Sequence, residues 1–139
     1  MLEQFVQYAE LPIRIMTGII MAYHGIPKLF TKEGYHAHLK LSESIGFKPG
    51  ILWGTLSAIA ECIGGIALIL GAYTQYAALL IAINMLVATY AKKFVWHLPF
   101  TITKGGYEYD LLLIMACITI ALLGAGPYAI DAVSHLPFA

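Results

Sequence analysis

The chain has 139 residues, 60% of them apolar and 12% charged, and its 8 basic and 8 acidic side chains cancel. Soluble domains carry about 25% charged residues, so a neutral chain with half that content lacks the polar surface of a dissolved monomer and favours the membrane class. A nucleic-acid binder, which needs a concentrated basic face, and a disordered tail, which is poor in apolar residues, are excluded.

In chain order, four apolar blocks each approach the ~20 residues that a helix needs to cross a bilayer. The first, Leu11 to Phe30, is interrupted by Arg14, His24 and Lys28; the second, Ile51 to Ala72, holds one charge, Glu61. The third, Gln75 to Ala91, has none, and the fourth, residues 109–130, is uncharged from Leu111 onward. A soluble bundle would show a charged stripe on every helix. The chain therefore reads as one all-α domain over residues 1–139, a polytopic membrane protein built as an antiparallel four-helix transmembrane bundle. Residues 31–50 and 92–108 read as long polar connections. The short link at 73–74 makes the second and third spans antiparallel neighbours.

Seven lysines (Lys28, Lys32, Lys40, Lys48, Lys92, Lys93 and Lys104) fall on the side of the two long connections, and Arg14 alone on the other. The positive-inside rule then places those connections in the cytoplasm and both termini outside the cell membrane. Trp53, Tyr90, Trp96 and Phe100 near one boundary, and Tyr8, Tyr73, Tyr76 and Tyr128 near the other, read as interfacial anchors. With Glu3 as its first charge and no basic leader or small-residue cleavage site, the first span is expected to be retained.

Polar side chains inside spans are costly and usually face a partner or cavity. Arg14, Thr17, Gly18, Met21, His24, Gly25 and Lys28 share one helical face of the first span, and Gly54, Ser57, Glu61, Gly64 and Gly65 form a stripe on the second. Small residues there allow close backbone approach. Helical side chains lean toward their own N-terminus, so in antiparallel spans His24 and Lys28 lean toward Glu61, and a His24–Glu61 contact is expected. Two uses of Glu61 follow: a structural lock neutralised by a basic partner, or a ligand, proton or redox group with His24. Arg14 leans the other way, toward the outer interface, where it would snorkel. Pro27 withdraws a backbone donor, which suits a cavity opening toward the long connections. Asn84 either hydrogen-bonds into that cavity or joins helices. His97, Tyr107, Glu108 and Asp110 fall near its mouth, with the aromatic stretch Phe94 to Phe100 as a cover.

Cys62 and Cys117, near the middles of their spans, form either a dithiol or two small buried hydrophobes. His24, Glu61 and His97 are acceptable metal ligand types without diagnostic spacing, and no metal site is assigned.

Arg14, then His24-Gly25-Ile26-Pro27-Lys28-Leu29-Phe30, then Glu61-Cys62-Ile63-Gly64-Gly65, then Gly106-Tyr107-Glu108-Tyr109, resemble the DoxX family of small four-span membrane proteins over residues 11–132. Carried over by position, Arg14, His24, Lys28, Glu61 and Glu108 match the family's recurrent polar positions. The resemblance implies a link to thiol, quinone or sulfur redox chemistry, one member being a membrane subunit of a thiosulfate:quinone oxidoreductase. The expected function is a redox-associated membrane component binding a quinone-like or small sulfur-containing ligand between the first two spans. His24 and Glu61 are its chemical groups, and Arg14, Met21, Lys28, Asn84, His97, Tyr107 and Glu108 surround the ligand. A non-enzymatic membrane subunit or small-solute transporter is the alternative. With so little chain outside the spans, a second redox subunit or a homo-oligomer is the expected protein partner.

Overall fold

A computed structural model describes residues 3–134, which are helical or irregular throughout and contain no strand. A 3-10 turn, Glu3–Tyr8, leads into α1 (Glu10–Phe30); α2 (Lys32–Ser44), α3 (Gly50–Leu70), α4 (Thr74–Tyr90), α5 (Glu108–Leu123) and α6 (Ile130–Ser134) follow. The two chain ends, expected on the outer side, lie outside the described residues.

Four helices pack in a closed order: α1 along α3, α3 on α4, α4 on α5, and α5 back on α1. The α1–α3 contact is the most extensive, and its cause is the small-residue stripe. A Cβ on Gly18 would stand 2.7 Å from the Gly65 carbonyl oxygen, and one on Gly25 would overlap the backbone at Glu61 and Cys62. The helices therefore meet backbone to backbone, which positions Lys28 against α3. Met21, Leu68, Ala78, Ile81, Met85, Ile114, Cys117 and Ile120 fill the core.

The outward faces carry large apolar side chains, among them Ile19, Ile63, Leu79, Ile83, Leu112 and Leu122. A soluble monomer rarely exposes apolar surface on this scale; hydrocarbon removes the penalty. Among the described helices, Gly50–Leu70 and Thr74–Val95 are long and apolar enough to cross a membrane. α1 matches them in length but carries Glu10, Arg14 and Lys28, and α5 has only 16 residues. α5 stops before the expected boundary at 130 because Gly124 leaves the helical region at φ 82°.

Residues 31–50 are not a mere connection. α2 forms within them because Thr31 caps its first turn, its hydroxyl accepting from Gly34 N at 3.0 Å, with Glu33 favourably placed at the N-terminus. α2 lies on α3 through the Tyr35 and Thr55 hydroxyls, 2.8 Å apart, and through Leu39 over Gly54. Its last turn caps α3: Gly50 N donates to Glu43 Oε1 at 3.0 Å. Beyond α4, Ala91–Val95 is a π-helical turn closed by Trp96 N donating to Ala91 O at 2.9 Å.

At the opposite end, Gly71 ends α3 in the left-handed region at φ 69°, and Tyr73 follows at φ 47°. Both Asp131 carboxylate oxygens accept from the start of α4, from Tyr73 N at 2.7 Å and Thr74 N at 2.8 Å. Asp131 N in turn donates to Gly71 O at 2.9 Å, so the chain after α5 latches the α3–α4 turn.

Candidate functional site

A cavity of about 560 Å³ opens between α1, α2, α3, α4 and the start of α5, at the end where Lys28 and Lys92 lie. Its walls are largely apolar, with Met21, Trp53, Leu56, Ile83, Trp96 and Tyr109 prominent, and its polar groups are few. Glu61 is buried among them, 4% exposed. Lys28 Nζ donates to Glu61 Oε2 as an ion pair, and Asn84 Nδ2 donates to Glu61 Oε1 at 3.1 Å. Side chains from α1 and α4 thus converge on one carboxylate of α3. A second pair lines the same cavity: Lys92 Nζ from the π turn donates at 2.8 Å to Oδ1 of Asp110, in the first turn of α5.

His38 of α2 completes the lining. Its Nε2 is buried and has no hydrogen-bond partner. Burial first, then the Lys28 charge, hold its imidazole below the ordinary value of 6.5, while Glu61 pulls the other way. A ring kept neutral has one nitrogen that donates and one that accepts.

The profile of the DoxX family matches residues 9–97. The chain belongs to the DoxX family. DoxX proteins are membrane-associated, which accounts for the apolar outer faces and places this chain in a lipid bilayer. A Bacillus subtilis (strain 168) protein named "Putative oxidoreductase CatD" is 32% identical over 125 residues, covering 90% of this chain and 86% of that relative. No solved structure matches the chain.

Of the DoxX motif positions, Lys28 and Glu61 meet in the cavity, and His24 lines it with Met21 and Asn84. The expected His24–Glu61 contact is not formed. His24 is exposed, edge-on to Tyr23 at 5.7 Å, and Lys28, one turn later with a longer arm, takes the carboxylate. Asn84 lines the cavity and joins α4 to α3 through its bond to Glu61.

Arg14 is 1% exposed and does not snorkel. It lies at the far end, where its Nη2 donates to Tyr128 O at 2.7 Å and its guanidinium abuts Gly71, where no side chain fits. It is separated from the cavity because it stands in the first turns of α1. His97, Tyr107 and Glu108 also stand off the cavity wall. His97 is exposed at φ 49°, and Tyr107 lies edge-on to Phe100 at 5.6 Å. Glu108 Oε1 accepts from Ile102 N at 2.6 Å, tying down its own loop.

Of the aromatic cover, Trp96 lines the cavity while Phe94 and Phe100 are exposed. His24, Glu61 and His97 are not assembled as a ligand set, and among the described residues no three His, Cys, Asp or Glu are placed to hold a metal. Cys62 and Cys117 are free, buried in helix packing, and absent from the cavity wall.

Sequence reasoning missed His38, because 31–50 read as a connection, and Lys92, because it read as a topology signal. Asp110 was legible only as a mouth residue. The available hint was a charge at each flank of an otherwise uncharged block.

Proposed function

We propose that this DoxX protein is a redox-associated component of the cell membrane that binds a quinone-class ring in the cavity behind α2. The observation that carries this reading is the buried Glu61 carboxylate, held by Lys28 and Asn84, on the wall of a largely apolar cavity of about 560 Å³. That volume lies within the ~300–1,000 Å³ of small-molecule sites, which are mainly apolar with a few placed polar groups. The donor set fits: Lys28 has ammonium hydrogens left after pairing with Glu61, His38 Nε2 lacks a partner, and Trp53, Trp96 and Tyr109 offer flat faces. A bound quinone would supply two-electron carrier chemistry. The protein's part is to hold the ring, keep bulk water out, and keep a proton at the Lys28 ammonium beside the acceptor oxygen, with Glu61 as its counter-ion.

A small sulfur-containing ligand is the other class raised by the family resemblance. The lysines of the cavity are already neutralised by carboxylates, which favours an uncharged ring over a small anion. The word oxidoreductase in the name of the Bacillus subtilis relative supports the redox assignment. A second redox subunit or another copy of the chain is the protein partner that this reading calls for.

Four spans, α1, α3, α4 and α5, complete the proposal as an antiparallel bundle, with the lysine-rich end and α2 in the cytoplasm and α6 outside. A carboxyl-terminal reporter active only in the cytoplasm would reverse that orientation. Native mass spectrometry from gentle detergent tests the ligand. Wild type is expected to carry an isoprenoid quinone, and Glu61→Gln and His24→Ala to carry less. Protein that retains no quinone, and takes none up when it is supplied, refutes the reading.

A further inference from the structure

The two acid–base pairs of the cavity differ in what they leave free. At the first pair both Glu61 oxygens are engaged, Oε2 by Lys28 and Oε1 by Asn84 at 3.1 Å, so only the ammonium hydrogens of Lys28 remain. That end offers donors, and donors suit a carbonyl oxygen. At the second pair Lys92 Nζ donates to Asp110 Oδ1 at 2.8 Å and reaches Gly106 O only at 3.5 Å. Asp110 is 4% exposed, and its Oδ2 is buried without any partner. A buried carboxylate oxygen left unmatched is costly, and it calls for an explanation, of which a hydrogen-bond donor brought by a bound molecule is one.

We propose that Lys92 and Asp110 form a hydroxyl-binding station at the loop end of the cavity, which takes the reduced, hydroxyl-bearing form of the ring. A hydroxyl donates one hydrogen bond and accepts others. Lys92 supplies the donor and Asp110 the acceptor, paired to each other on the wall of the cavity. Lys92 reaches the wall from a π turn, an element that is rare and concentrated at functional sites. The stations lie at different levels: Asn84 and Lys92 are eight residues apart along α4 and the π turn that continues it, roughly 12 Å at ~1.5 Å per residue. The oxidised ring is therefore read at the Glu61 level and the reduced ring nearer the aqueous side. This assignment rests on the quinone-class reading above.

The test uses the full chain in nanodiscs, dialysed to equilibrium without oxygen against a short-chain, fully substituted benzoquinone or its hydroquinone, with empty nanodiscs subtracted. Wild type binds both. Asp110→Asn is expected to weaken the hydroquinone by about tenfold, the size of one charge-assisted hydrogen bond, and the benzoquinone by less than about threefold. The double variant Lys92→Met/Asp110→Leu removes both charges together, so that no ion is left unpaired, and is expected to show the same selectivity. Hydroquinone binding unchanged in both variants means that the orphan oxygen holds no more than a water, and overturns the station. Equal loss of both ligands means that the pair is structural, and overturns it too. If wild type binds neither form, the quinone-class reading falls and takes the station with it.

Discussion

Replacing Lys28 by Met tests the Glu61 cluster most directly, because it removes the cation and keeps the bulk of the arm. The Lys28 side chain is 28% exposed and that of Glu61 5%. Breaking a buried pair costs about 3–5 kcal/mol and an exposed one about 0–1 kcal/mol. With one partner buried and the other partly wet, Lys28→Met should destabilise the protein by about 2–3 kcal/mol, the bond from Asn84 being all that is left to the carboxylate. Glu61→Gln should cost only about 1 kcal/mol, since the amide still accepts from Asn84 and Lys28 reaches water along its own stem. The double variant has no stranded charge and should cost little more than Glu61→Gln alone, a coupling of about 2 kcal/mol. Unfolding of the four proteins in mixed micelles of mild detergent and dodecyl sulfate measures the cycle. Single costs that add to within about 0.5 kcal/mol would refute the pairing and the counter-ion role given to Glu61.

At Gly25 a Cβ overlaps the α3 backbone, so Gly25→Ala must push α1 off α3. A loss of about 1–3 kcal/mol is expected in the same micelle titration, and no change would mean that the helices are not in backbone contact. Asp131→Ala removes two hydrogen bonds from the start of α4 and should cost about 1–2 kcal/mol, with amide exchange rising first at Tyr73 and Thr74; exchange unchanged there would discard the latch. The pH dependence follows from His38, whose folded value lies below 6.5 through burial and Lys28. Between those two values the unfolded chain holds a proton that the folded chain does not, so stability is full above about 6.5 and declines as pH falls below it. His38→Gln should flatten that decline, and a profile identical to wild type would show that His38 is hydrated.

Composition and block length were enough to predict a helical membrane chain. The reason is that hydrocarbon demands long uncharged segments with their backbone bonds satisfied internally. The small-residue stripes were legible for a related reason, since helical periodicity places Gly18 and Gly25 on one face whatever that face meets. Lys28 and Glu61 could be read as candidates because charge in a span is conspicuous. Their pairing could not be read, because spacing along one helix does not say which of His24 and Lys28 reaches across to another. α2 was obscured by its own polarity, since a charged helix lying on a bundle has the composition of a loop.

The sequence by itself determined the class, the approximate helices and the short roll of buried charges, all of which follow from local transfer cost and helical period. Only the tertiary structure decided which of those charges share a cavity. Arg14 is held by a carbonyl at Tyr128, whose chemistry is the same at every residue and so leaves no mark in the sequence. Lys92 and Asp110 meet across the loop from α4 to α5 because α4 packs on α5, and His38 reaches the cavity because α2 folds onto α3. Each of these depends on contacts distant in sequence, which no local pattern encodes.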